Sequence, residues 1–338
     1  MSSSWNRILA AMTLALGAAV SLPAHADATS CGTDRTIDIA EMTWPSAAAL
    51  AHIHAFILGN GYGCKVKLVT GDTVPTSSSM LTRGQPAVAP ELWTSAIEKP
   101  WAKGIEDGKV VKLADAITDG TVEGWFIPKY IAEAHPDLKS AADVVKHPEL
   151  FPDPEDPSKG RLYSCPPGWA CELSTSALFK AYDMDGKWNL FSPGSGGALD
   201  ASIARAFLRK QPILFYYWGP TAILGKYDAV KLDMPPADKD VYACNTNPDC
   251  ANPPGKTDYP SSPAIVGAAA WVKKDAPKVA DYFSRVGLTN AQISAILVYG
   301  DDNKADAEAT AVNFLKTEED VWTKWVTPEI AAKVKAAL

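Results

Sequence analysis

Histidine is scarce in this 338-residue sequence, which holds only five. His52, His54, His135 and His147 do not cluster with the cysteines, and the cysteines do not fall in close CxxC pairs, which argues against a structural zinc site. There is no Gly-x-Ser-x-Gly elbow, no His-Glu-x-x-His and no lone reactive cysteine, so the familiar hydrolase motifs are missing. The Gly-rich 192–197 stretch lacks the Gly-Lys-Ser/Thr of a phosphate loop and reads as a turn before a helix. An excess of basic charge is also lacking. Thirty-two Lys and Arg stand against 39 Asp and Glu, and the formal net charge of −7 argues against nucleic acid and anionic lipid as partners. Low-complexity tracts and repeats of fixed period are absent. Beyond Leu22 no stretch is apolar enough to suggest a membrane span.

What is present begins with an export signal. Arg7 is the only charge before Asp27, residues 8–22 are apolar, and Ala24-His25-Ala26 fits a small-x-small cleavage site. The expectation is a signal peptide over 1–26 and a soluble, periplasmic mature chain, with no cofactor and no metal. A lipoprotein anchor at Cys31 is the weaker alternative, because the apolar run ends too early. Six cysteines in an exported chain suggest three disulfides. Six allow 15 pairings; local spacing favours Cys165–Cys171 and Cys244–Cys250, which leaves Cys31–Cys64.

The order strand, helix, strand, helix, strand, helix is expected over 36–106, with strands at 36–42, 64–69 and 87–92. That order reads as a parallel sheet with helices on its faces, whose ligands sit beyond the carboxyl ends of the strands. Further strands are expected at 122–127, 212–217, 230–234 and 264–272, and helices from 276 to the end. The Pro- and Asp-rich 151–160 segment reads as a solvated turn, its prolines breaking the spacing of a calcium loop. The polar 238–262 segment reads as irregular. The fold class expected is α/β with two lobes and a cleft between them: 27–121 and 263–338 in one lobe, 122–262 in the other.

Tryptophan is the unusual resource, with 11 residues. Trp44, Trp93, Trp125, Trp169 and Trp218 fall at strand ends or in loops and are candidates for a ligand site. Trp101, Trp188, Trp271, Trp322 and Trp325 read as packing, and Trp5 lies in the leader. Aromatic faces converging on one point suit a quaternary ammonium group, which has no hydrogen to donate. The loop Cys165-Pro166-Pro167-Gly168-Trp169-Ala170-Cys171 leads into a helix start, whose free N–H groups suit an anion. One short loop thus offers something to both ends of a small zwitterion. Trp platforms and scattered carboxylates would also suit a sugar, so a secreted glycoside hydrolase or sugar-binding protein is the alternative. That chemistry needs two positioned carboxylates, and none is marked as a pair.

Glu91-Leu92-Trp93-Thr94, Cys165-Pro166-Pro167-Gly168-Trp169-Ala170-Cys171-Glu172 and Phe215-Tyr216-Tyr217-Trp218-Gly219-Pro220 resemble, in order and separation, segments of the periplasmic glycine betaine-binding proteins of ABC transporters. The resemblance implies a type II two-lobed fold that closes on its ligand, and no enzymatic activity. It implies a cage in which Trp93, Trp169 and Trp218 hold the trimethylammonium, with the carboxylate bound by N–H groups of Ala170 and Cys171. Related choline-binding proteins place aromatics at positions that look like Trp44 and Trp125, which would add walls. Two departures stand out. A histidine that binds the carboxylate in one branch is replaced by Ile97, and the acid that accepts the choline hydroxyl is replaced by Ser46, which argues against choline. The resemblance also implies an ABC permease and its ATPase as partners, a monomeric state, and a betaine ligand taken up for osmoprotection or nutrition. Choline, proline betaine, carnitine or a sulfonium analogue are the alternatives within the class.

Overall fold

The computed structural model of the protein describes Met1, residues 30–261 and residues 263–338. Apart from Met1, the expected signal peptide and its cleavage site lie outside the described residues. Two five-stranded sheets organise the chain. The first contains β1 (Ile37–Met42), β2 (Val66–Gly71), β3 (Val88–Trp93) and β4 (Val110–Asp115). The second contains β5 (Val122–Pro128), β6 (Gly160–Tyr163), β7 (Trp188–Phe191), β8 (Leu214–Gly219) and β9 (Ala229–Lys231). The chain then returns to the first sheet as β10 (Ala264–Ala269). The strand orders are β2-β1-β3-β10-β4 and β7-β6-β8-β5-β9. The result is the two-lobed α/β architecture of type II periplasmic binding proteins, with the crossings between Asp115 and Val122 and between Lys231 and Ala264.

Local sequence explains the central strands. β3 and β10 are buried at every residue, as expected of strands covered on both faces by helices. Pro45 starts the helix Pro45–Phe56, where its missing N–H costs nothing, and Gly84 ends the helix Thr73–Arg83 in the left-handed region. Pro277 and Pro328 likewise open C-terminal helices.

The parallel sheet expected over 36–106 is present, and a strand of opposite direction joins it. β1 is parallel to β2 and β3, but β10 runs antiparallel to both β3 and β4, and β5 does the same beside β8 and β9. A strand that arrives from the other lobe enters its sheet from the cleft side, so its direction is reversed. β4, β6 and β7 escape the sequence reading, and β9 is shorter than expected. The polar 238–262 segment carries a helix, Lys239–Asn245, whose start is capped by the Asp238 carboxylate accepting from the N–H groups of Asp240 and Val241. The Pro- and Asp-rich turn is not wholly solvated either. Asp153 is 2% exposed and accepts from Arg161 at 2.5 Å and Asn189 at 2.8 Å. Burial works to raise its pKa, yet these partners hold it at about 2.

Disulfides join Cys31 to Cys64, Cys165 to Cys171 and Cys244 to Cys250. The first ties the segment before β1 to the segment before β2. The lobes meet across the cleft through several bonds. Val74 N–H donates to the Gly168 carbonyl at 3.3 Å, and Lys226 bridges to Asp301 and, at 2.7 Å, to Asp302.

Candidate functional site

Between the lobes, at the strand ends, lies a cavity bounding about 300 Å³ of non-atom space. Trp44, Thr73 and Trp93 line it from one lobe; Glu123, Trp169, Ala170, Cys171, Tyr216 and Trp218 line it from the other. Trp93 is the last residue of β3, Trp44 directly precedes the first helix, and Trp218 is the penultimate residue of β8. Trp169 precedes the helix Ala170–Ala181. Its ring stands edge-to-face to both neighbours, with centroids 5.3 Å from Trp44 and 5.0 Å from Trp218.

Three of the four rings are held by hydrogen bonds from their indole N–H groups. Glu91 Oε1 accepts from Trp44 Nε1 at 2.7 Å, Trp93 Nε1 at 2.9 Å and the Ser46 hydroxyl at 3.0 Å. Glu91 and Trp93 share a strand face because they are two residues apart. One carboxylate oxygen thereby sets two walls of the cage. Burial raises the Glu91 pKa, and the Trp93, Trp44 and Ser46 donors oppose that shift. Trp169 Nε1 crosses the cleft to donate to Thr43 Oγ1 at 2.8 Å, and Thr43 in turn donates to Asp72. Closure therefore sets the orientation of the third ring.

Trp169 also requires close backbone approach. A Cβ on Gly196 would lie 3.0 Å from the Trp169 ring and 3.3 Å from the Thr43 carbonyl oxygen. Gly168, at φ +87°, turns the chain into the helix, and its N–H donates to Glu172 Oε2 at 2.7 Å. The N–H groups of Ala170 and Cys171 belong to the first helical turn, where no acceptor exists inside the helix. The Cys165–Cys171 bond ties that turn to the strand behind it.

The other polar wall is Glu123. It is 8% exposed, and its Oε1 accepts from the Tyr216 hydroxyl at 2.6 Å. Its Oε2 is buried with no hydrogen-bond partner among the described residues. Burial pushes its pKa up to about 7, against the pull of the Tyr216 bond and of Lys231.

Of the residues singled out from sequence, Trp44, Trp93, Trp169, Ala170, Cys171 and Trp218 all line this cavity. Trp125 does not. It lies two residues further along β5 than Glu123, is fully buried, and donates to the Tyr259 hydroxyl at 3.1 Å, packing against Tyr182. Ile97 is buried in a short turn and is not part of the cavity wall. Ser46, where choline binders would carry an acid, is engaged by Glu91. Glu91, Thr73, Glu123 and Tyr216 were not singled out. The signal for Glu91 was an acid inside an otherwise apolar strand, which burial statistics mark as anomalous. A larger cavity, about 1120 Å³ on the same measure, lies beyond Trp218 near Asp200, Tyr217 and Lys304. It has only those two aromatic walls, so it is less suited to a caged cation. Among the described residues there is no His/Cys/Asp/Glu group able to hold a metal, and no helix is long and apolar enough to cross a membrane.

The family model for the substrate binding domain of ABC-type glycine betaine transport systems (OpuAC) matches residues 35–317. The chain belongs to that family. It is 26% identical over 224 residues to the glycine betaine/proline betaine-binding periplasmic protein of Salmonella typhimurium; that match takes in 63% of this chain and 66% of the relative, just under two thirds of its length. Two solved structures share the fold. The glycine betaine, L-proline ABC transporter binding protein of Borrelia burgdorferi superposes with a TM-score of 0.69 at 16% identity, covering 89% of this chain and all of that one. A lactococcal OpuAC in a closed-liganded conformation with glycine betaine gives 0.66 at 19% identity, covering 87% of this chain and all of that one.

Proposed function

We propose that this protein captures a small trimethylammonium zwitterion, glycine betaine in the first instance, and delivers it to an ABC permease driven by its ATPase. The observation that carries this reading is the convergence of Trp44, Trp93, Trp169 and Trp218 on one cavity that also holds a helix N-terminus. The rings face the ammonium, and the Ala170 and Cys171 N–H groups take the carboxylate. Each desolvated ring contributes about 0.5–2 kcal/mol. Four rings together with the carboxylate contacts are of the order needed for micromolar affinity, about 8 kcal/mol. Lobe 1 is assigned to 27–121 and 263–338 and lobe 2 to 122–262, with closure of one on the other completing the cage. The protein acts as a monomer in the periplasm after removal of its leader, without a cofactor and without catalysis.

Choline is the second reading, and one observation favours it: a carboxyl group, Glu123, stands in the cavity wall where it can offset a net positive guest. Isothermal titration of the mature chain tests both readings. Binding of glycine betaine with a tryptophan fluorescence change and a raised melting temperature supports the first; at 100 times its Kd a ligand stabilises by about 2.7 kcal/mol. Heat with sugars and none with any quaternary ammonium or sulfonium compound refutes both.

A further inference from the structure

The described cage suits the ammonium end of a guest, and the helix start suits its anionic end. Neither role uses Glu123. Yet Glu123 lines the same cavity, with Oε1 held by Tyr216 and Oε2 buried without a partner among the described residues. Glu91 also has a buried Oε2 without a partner among the described residues, but its Oε1 takes three donors and it does not line the cavity. A carboxyl in the cavity wall with one oxygen unpartnered can do one of two things beside a guest. Protonated, it donates to an anionic oxygen; ionised, it neutralises a cation, and burying an unpaired charge is too costly to permit a third arrangement.

We propose that Glu123 matches the charge of the guest, keeping its proton to hydrogen-bond the anionic end of a zwitterion and releasing it to become the counter-ion of a net cation. This rests on the betaine reading above. The surroundings permit both states. The carboxyl titrates near neutrality, about 7, so either form is accessible in the physiological range. The phenols that face it, Tyr216, Tyr242 and Tyr259, are all shifted upward by burial and stay neutral across that range. Lys231, which faces it from β9, is paired with Asp258 at 2.9 Å, so the two largely offset one another. Glu123 is thus the group whose proton follows the guest.

The opposed consequences make a direct test. Wild-type protein is titrated with glycine betaine and with choline from pH 5.5 to 8.5, in buffers of different ionisation heat so that protons exchanged are counted. The expected result is opposite slopes. Glycine betaine affinity falls above about pH 7, choline affinity rises toward and through it, and each changes by at most about tenfold per pH unit, the limit for one linked proton. Choline releases close to one proton below pH 7. Glu123→Gln, which imitates the protonated acid, abolishes the pH slope of both guests and weakens choline at least tenfold at pH 8.5. Slopes of one sign, no slope with either guest, or no choline binding at pH 8.5 overturns the proposal. Failure of both guests to bind at any pH instead refutes the betaine reading itself. The wild-type profile requires no variant, so misfolding of Glu123→Gln leaves the test intact.

Discussion

Replacing Glu91 separates its two jobs, accepting hydrogen bonds and carrying charge. Glu91→Ala leaves the indole N–H groups of Trp44 and Trp93 and the Ser46 hydroxyl without their shared acceptor in a buried region. A buried donor left unmade costs about 1–3 kcal/mol. The serine can turn to another acceptor, so the two indoles dominate and the expected loss of stability is roughly 2–5 kcal/mol. Affinity should fall as well. Two of the four rings lose the oxygen that aligns them, and loss of half their contribution is about 0.5–2 kcal/mol, or roughly 2- to 30-fold in Kd. Glu91→Gln keeps a carbonyl oxygen of the same shape in the same place. It should cost less than about 1.5 kcal/mol and weaken binding less than about fivefold, because the three donors still find an acceptor. Urea denaturation gives stability, and calorimetry with glycine betaine gives affinity. If Glu91→Ala destabilises the fold but leaves affinity unchanged, the rings are aligned by packing and not by the carboxylate. If Glu91→Gln is as damaging as Glu91→Ala, charge and not acceptor geometry is what the cage requires.

Trp93→Ala and Trp218→Ala should each weaken glycine betaine about 2- to 30-fold, while Trp271→Ala, whose indole bonds the Gly84 carbonyl, should stay within about twofold; circular dichroism shows whether each variant is folded. Trp125→Phe should likewise leave affinity within about twofold, since only the bond to Tyr259 is lost, and a larger drop in calorimetry would return Trp125 to the site. Changing Cys165 and Cys171 both to serine should reduce glycine betaine affinity more than choline affinity, because choline has no carboxylate for the Ala170 and Cys171 N–H groups; equal losses in paired titrations would make the loop a staple only. Stability should also follow pH through Glu123. Its folded pKa of about 7 lies above an unfolded value of about 4.3, so the folded chain holds the proton more tightly. The stabilisation is complete below the unfolded value and is lost as pH rises through about 7, by up to roughly 4 kcal/mol. Glu123→Gln should therefore be more stable than wild type at pH 8, and denaturation curves with identical pH dependence would contradict this.

Much of the site was legible because its residues occupy strand ends. Trp93 closes β3 and Trp218 nearly closes β8, and both follow apolar runs whose ends can be seen in the sequence. Trp125 looked the same in composition but lies in the middle of β5, which enters its sheet from the cleft side, so Glu123 near the strand start meets the cavity and Trp125 lies deeper. Strand direction, not residue type, separates the two cases. Glu91 and Glu123 were harder to read, since an acid in an apolar strand indicates burial but not what it bonds. The cross-lobe bond from Trp169 to Thr43 joins residues 126 apart and depends on closure, which no local pattern encodes. In the fold, the helix starts at Pro45, Pro277 and Pro328 could be read from proline alone. The direction of β10 could not, because it depends on the lobe from which the chain returns.

The central claim is that four tryptophans and a helix start hold a betaine. Calorimetry of the mature chain, freed of copurified small molecules by unfolding and refolding, tests it most directly. One-site binding of glycine betaine is expected, with a Kd on the order of micromolar and a change in tryptophan emission. Heat on adding sugars, with none for glycine betaine, proline betaine, carnitine or choline at any pH between 5.5 and 8.5, would contradict it.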